Sequence, residues 1–290
     1  MRVGEAIADW YEAGHRELPW RHPDYPAWGI LIAEFMLQQT PVARVIPRLA
    51  EWLERWPTPA ELASVPPGEA VRAWDRLGYP RRALNLHEAA VAIAERHGNR
   101  VPSEVDELLE LPGVGPYTAR AVAAFAYGVR TPVVDTNVRR VLARALDGNA
   151  EPGPPKTRRD LEAMAGILPT DARRARLTNA GAMELGQVLC TARLPRCPTC
   201  PLAESCAWRA AGYPEYEGER TPKQKRYEGS DRQVRGLILR LLRAADIPVP
   251  GDTIEALWPD SAQLERALAG LLRDGLVSRD ALYGYTLPLS

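Results

Sequence analysis

Lysine is almost missing from this 290-residue chain: it occurs only at Lys156, Lys223 and Lys225, against 34 arginines. The first 155 residues thus carry no lysine amine, which excludes Schiff-base chemistry by a lysine of that stretch. Phenylalanine is confined to Phe35 and Phe125. No apolar run approaches the roughly 20 residues needed to cross a bilayer, so no membrane partner is expected. The opening residues, Met1-Arg-Val-Gly-Glu, do not read as a secretory leader. Net charge is also absent, with 37 basic and 37 acidic residues, so overall charge announces no nucleic-acid partner. A hydrophobic content of 46% suffices for the core of one or two domains. Cysteine is absent outside a single stretch, and the expected location is the cytoplasm.

Within that stretch stand Cys190, Cys197, Cys200 and Cys206, spaced C-x6-C-x2-C-x5-C. Four thiolates this close can complete the shell of one metal centre. Disulfides are the plain alternative, but they rarely persist in a reducing compartment. Zinc sites usually pair two short knuckles, and only Cys197/Cys200 has such spacing. The wider gaps favour a [4Fe–4S] cluster, with zinc as the rival.

Helical periodicity dominates from Val3 to about Leu189, with Pro and Gly at nearly every junction. Helices are expected over 41–56, 59–64, 67–77, 81–97, 103–111, 117–127, 136–146, 157–167 and 177–190, besides those around Ile7 and Ile30. Residues 1–210 therefore read as an all-α region ending in the cysteine loop. Residues 211–230, rich in Pro, Gly and charge, read as a linker. Residues 231–290 read as a small winged-helix-like α+β module of three helices and a hairpin. Its basic residues, with Lys223, Lys225 and Arg226 of the linker, are either phosphate contacts or a solvated surface.

Three places carry chemistry. Leu111-Pro112-Gly113-Val114-Gly115 lies between two helices, an arrangement that aims backbone N–H groups at an anion, although it also occurs as an ordinary helical turn. Asp135, at the end of an apolar run, suits a helix N-cap, and the same position keeps a carboxylate ionised. Glu34 is the only charge in Trp28–Thr40. It is either a paired structural carboxylate or a buried general acid with a raised pKa.

Together with LPWR (Leu18–Arg21), EFMLQQT (Glu34–Thr40), LGY (Leu77–Tyr79), LPGVGPYTA (Leu111–Ala119), VVDTNVRRVLAR (Val133–Arg144) and MELG (Met183–Gly186), the cysteine loop resembles the adenine DNA glycosylase (MutY) family. That family is a branch of the helix-hairpin-helix, endonuclease III-like superfamily, and the shortened tail resembles its actinobacterial forms. The resemblance covers about residues 1–210 and implies a two-lobed helix-hairpin-helix fold with a [4Fe–4S] loop. It implies a monofunctional base-excision-repair enzyme that hydrolyses the N-glycosidic bond of adenine mispaired with 8-oxoguanine or guanine in double-stranded DNA, after flipping the base out.

By the same resemblance, Glu34 protonates adenine N7 and later activates water, and Asp135 stabilises the oxocarbenium-like sugar. Tyr117, where lyase relatives carry lysine, hydrogen-bonds Glu34, and Asn137 supports the centre beside Asp135. Gln38, Gln39, Thr40 and Tyr79 contact DNA around the extruded base; Leu111, Gly113, Val114, Gly115 and Tyr117 grip its backbone. Arg140 links the cluster to the site. The implied protein is a bacterial, nucleoid-associated monomer. The Nudix-like domain typical of the family has no counterpart here, which leaves opposite-base preference open. Competing readings are a thymine or uracil mismatch glycosylase of the same superfamily and a non-catalytic iron–sulfur DNA-binding protein.

Overall fold

The structure, a computed structural model, describes residues 2–218, 227–280 and 284–289. Lys223, Lys225 and Arg226 of the expected linker lie outside the described residues. Numbered along the chain, the helices are α1 (Val3–Ala13), α2 (Ala27–Leu37), α3 (Val42–Arg55), α4 (Pro59–Ala63), α5 (Pro67–Trp74), α6 (Arg81–Arg96), α7 (Val105–Leu109), α8 (Pro116–Tyr127), α9 (Thr136–Ala145) and α10 (Thr157–Ile167). They continue with α11 (Ala172–Val188), α12 (Ala207–Ala210), α13 (Asp231–Ala244), α14 (Gly251–Glu255) and α15 (Ser261–Arg273), followed by strands β1 (Ser278–Asp280) and β2 (Gly284–Thr286). Among the described residues no helix is long and apolar enough to cross a membrane.

The all-helical reading of the first 210 residues holds, with ends moved where local chemistry decides them. Helix α11 starts at Ala172, ahead of the expected Leu177, because the Asp171 carboxylate accepts the Arg174 amide and caps the first turn. The helix expected over 67–77 stops at Trp74, since Asp75 takes φ 44° and a 3-10 turn carries the chain onward.

The residues divide into two compact units. The first comprises Met1–Ile30, Ser103–Leu109 and Gly115–Pro222. Its core gathers Ile7 of α1, Val138 and Val141 of α9, Met164 of α10 and Leu185 of α11, joined by Leu202 from the cysteine loop. Two sequence motifs meet here. Glu184 of MELG is 2% exposed, accepts the Arg16 amide at 2.8 Å and pairs with the Arg21 guanidinium of LPWR. Burial opposes its charge, but the bonds from Arg21 and Arg16 prevail and hold its pKa below the ordinary value.

The second unit comprises Leu31–Pro102, Glu110–Val114 and Lys223–Ser290. Buried Trp52 meets Trp56 and Trp74 edge-on, with ring centres 4.9 and 5.6 Å away. Thr58 and Glu61 form a capping box that starts α4. The C-terminal segment contributes α13, α14, α15 and the β1–β2 hairpin, onto which Val249 bridges through Tyr285. It joins the earlier helices through polar contacts: Arg243 Nε donates to Val71 O at 3.0 Å, Arg72 reaches Arg243 O and Ala245 O, and the Gly68 amide donates to Pro288 O at 2.8 Å. Arg235, one of the candidate phosphate contacts, is ion-paired with Asp274.

Candidate active site and cysteine loop

Helix α9 organises a polar network in the first unit. Asp135 is its N-cap: one carboxylate oxygen accepts the Val138 amide at 2.7 Å, the other accepts Asn137 Nδ2 at 2.8 Å. The segment leading to it is fixed by Asn179 of α11, 0% exposed. Its Oδ1 accepts the Val133 amide at 2.9 Å, and its Nδ2 donates to Thr131 O at 3.0 Å. Half-buried Asp135 thus has both carboxylate oxygens engaged, on a segment that Asn179 holds in place.

From Asn137 the bonding continues inward. Arg140 donates to Asn137 Oδ1 at 2.9 Å, to Gly186 O at 2.6 Å and to Cys190 O at 2.7 Å. Burial lowers the Arg140 pKa from its ordinary value. The close approach of α9 and α11 needs Gly186, where an added Cβ would lie 2.7 Å from the Asn137 Cβ. One turn on, Arg144 is 3% exposed and donates to Thr191 O at 2.8 Å, to Ala192 O at 3.3 Å and to the Cys190 thiol at 3.4 Å. Asn137, Arg140 and Arg144 share one helical face by their i, i+3, i+7 spacing, so one side of α9 ties Asp135 to the cysteine loop. Arg144 and Asn179 were missed in the sequence. The first could have been found by that spacing, whereas nothing marked the second.

The four cysteines line one open cavity, together with Arg144, Leu189 and Trp208 among others. All four are free thiols. Among the described residues no three His, Cys, Asp or Glu side chains come close enough to hold a single metal ion. Burial pushes the Cys190 thiol up, and the Cys200 thiol up to about 11.

The hairpin between α7 and α8 closes with the Val114 amide donating to Leu111 O at 3.1 Å. Gly113 takes φ 71°, and an added Cβ would strike Asn85 at 2.4 Å, so only glycine fits. Leu111 and Val114 are buried, while Gly113 is exposed. Gly115 caps α8, Pro116 follows at its first position, and Tyr117 packs beside Ala121, Ala124 and Val133. The leading amides of α8 are the ones a helix leaves without internal partners.

In the second unit, Glu34 is 6% exposed on α2, with apolar Ile32, Ala33, Phe35 and Met36 buried around it in sequence. The chain leaves α2 through half-buried Gln38, exposed Gln39 and buried Thr40. Thr40 Oγ1 lies 3.1 Å from Leu77 O, bringing this loop against the corner that presents Tyr79, itself 46% exposed. Of the residues singled out in the sequence, Asp135, Asn137, Tyr117, Gly115 and the cysteines belong to the first unit. Glu34, Gln38, Gln39, Thr40, Tyr79, Leu111, Gly113 and Val114 belong to the second.

Residues 32–165 match the HhH-GPD superfamily of base excision DNA repair proteins. Over 276 residues the chain is 52% identical to an adenine DNA glycosylase of Mycolicibacterium smegmatis, covering 95% of this chain and 92% of that one. The chain belongs to the adenine DNA glycosylase family. Similarity to the M. smegmatis member of the family extends through the C-terminal segment. Solved structures share the larger part of the fold. A thermostable thymine-DNA glycosylase matches with a TM-score of 0.65 and 27% identity, over 72% of this chain and 95% of that one. A non-covalent endonuclease III–DNA complex matches with a TM-score of 0.60 and 26% identity, over 72% and 94%.

Proposed function

We propose that this member of the adenine DNA glycosylase family hydrolyses the N-glycosidic bond of adenine opposite 8-oxoguanine or guanine in double-stranded DNA. Glu34 is the general acid that protonates N7, so that adenine leaves neutral, and afterwards the base that activates water. Asp135 faces the developing positive charge on the sugar, held in place by Val138 and Asn137. Tyr117 supports the acid. Gln38, Gln39 and Tyr79 fill the duplex around the extruded nucleotide, with buried Thr40 behind them, while Leu111, Gly113, Val114, Gly115 and the start of α8 receive backbone phosphate. Because no lysine precedes Lys156, the product is an abasic site on an intact strand.

The cysteine loop is assigned a [4Fe–4S] cluster, held by Cys190, Cys197, Cys200 and Cys206. Four thiols around a common cavity, at spacings wider than paired zinc knuckles, support a cluster over zinc. Bound there, it would brace the loop that Arg140 and Arg144 tie to α9. Residues 1–210, 211–230 and 231–290 are read as glycosylase region, linker and appended module.

The reading rests on one observation above the others: Glu34, a buried acid on an apolar helix, in a chain half identical over nearly its whole length to an adenine DNA glycosylase. The test is excision from A:8-oxoguanine, A:G, T:G and U:G duplexes, with and without alkali. Strand breaks from the two adenine duplexes after alkali only are expected. Preferred cleavage of T:G or U:G would make the chain a pyrimidine mismatch enzyme, and breaks without alkali would make it a lyase.

A further inference from the structure

Behind the two loops assigned to the DNA stands one guanidinium. Arg82, in the first turn of α6, is 8% exposed. Its Nη1 reaches the carbonyl oxygens of Phe35 at 2.7 Å, Met36 at 3.1 Å and Gln38 at 2.7 Å. Its Nη2 reaches Thr40 Oγ1 at 3.2 Å, Leu77 O at 3.4 Å and Gly78 O at 2.9 Å. The first three carbonyls end α2, where a helix leaves its oxygens without internal donors. The last two form the corner preceding Tyr79. Trp74 lies against the guanidinium at 5.1 Å and donates its own N–H to Gly78 O at 2.9 Å, and the Tyr79 ring stands 5.6 Å away.

This is an unusual use of a buried cation. Among the described residues its partners are carbonyl and hydroxyl dipoles, with no carboxylate, and Nε is buried without a hydrogen bond. A core that needed only filling would take an apolar side chain there. Each loop it holds also contains one non-glycine residue in the left-handed region, Gln39 at φ 56° and Tyr79 at φ 47°. Such backbone persists where its surroundings over-determine it. Arg82 supplies those surroundings on both sides at once, and the Thr40 hydroxyl, accepting from Arg82 and donating to Leu77 O, closes the link.

We propose that Arg82 is a positioning residue for base extrusion, which clamps loop 38–40 to the Tyr79 corner so that Gln38 and Tyr79 enter the duplex at a fixed separation. The proposal rests on the assignment of those loops to DNA made above. Lysine could not replace it, since an ammonium lacks the planar fork that spans acceptors on both loops.

The test is a double-mutant cycle of wild type, Arg82→Lys, Tyr79→Ala and the double variant. It is read by fluorescence of 2-aminopurine at the target position of a mispaired duplex, and by single-turnover adenine excision. Arg82→Lys is expected to lower extrusion and excision by about tenfold, and to add little to Tyr79→Ala. An adenine opposite an abasic site, where extrusion is easy, should be affected less. Fully additive losses, or equal losses on that easy substrate, would overturn the proposal in favour of a general stability role. Thr40→Val, which removes the shared hydroxyl at constant volume, should give a smaller effect of the same pattern; if Arg82→Lys fails to fold, this variant decides. A wild type that extrudes the base but releases no adenine refutes the glycosylase reading and leaves the cycle readable. One that does neither overturns both.

Discussion

The two units place their proposed catalytic carboxylates in different settings. In the first, Asp135 is wrapped in donors: the amide of Val138, the side chain of Asn137, and the positive end of α9. In the second, Glu34 sits on an apolar helix with buried neighbours on both sides in sequence. Oriented dipoles suit a group that faces a developing cation, and burial suits one that must deliver a proton. The same contrast separates the supporting arginines. Arg140 and Arg144 link helix to loop within the first unit, and Arg82 links loop to loop within the second.

Three substitutions sharpen or break this contrast. The largest effect is expected from Glu34→Gln, which keeps size and burial but cannot donate the proton. Single-turnover excision of adenine should fall by about 10²–10⁴-fold, with duplex affinity retained in a gel-shift titration. Excision at the wild-type rate would place the acid elsewhere.

Asp135→Asn comes next and is diagnostic, because asparagine caps a helix as well as aspartate does. Melting temperature should stay within about 2 °C, while excision drops by about a hundredfold. Unchanged activity would reduce Asp135 to a cap.

The smallest effect belongs to Glu184, which has no place in the chemistry. Its folded pKa is lowered below 4.5 by Arg21 and Arg16 against the opposing effect of burial. The stability it contributes is complete above that value and disappears as pH falls through the folded pKa. Glu184→Gln should therefore lower the melting temperature at pH 7 and flatten its decline between about pH 5 and pH 3. Parallel curves for the two proteins would show that the Arg21 pair carries no linkage.

Much of this was legible in the residues. Helical spacing located α1 to α11 but not the short α12, and cysteine spacing pointed to one shared site, where the four thiols do line a common cavity. Helix ends were harder to read, since an Asp171 cap or a left-handed Asp75 outweighs periodicity over a single turn. Least legible were the residues that position others. Asn179 and Arg82 each act through carbonyls and amides that any sequence supplies, so no motif announces them. Their roles depend on which backbone groups the fold leaves in need of a partner.

The contacts of Gly68, Arg72 and Arg243 bear on biosynthesis. They bind α5 to residues 243, 245 and 288, made 171 residues or more after their partners. During synthesis α5 therefore waits for its polar partners until those later residues have emerged. A stalled or shortened chain would hold every segment proposed for the chemistry and still lack the acceptors on which that helix closes.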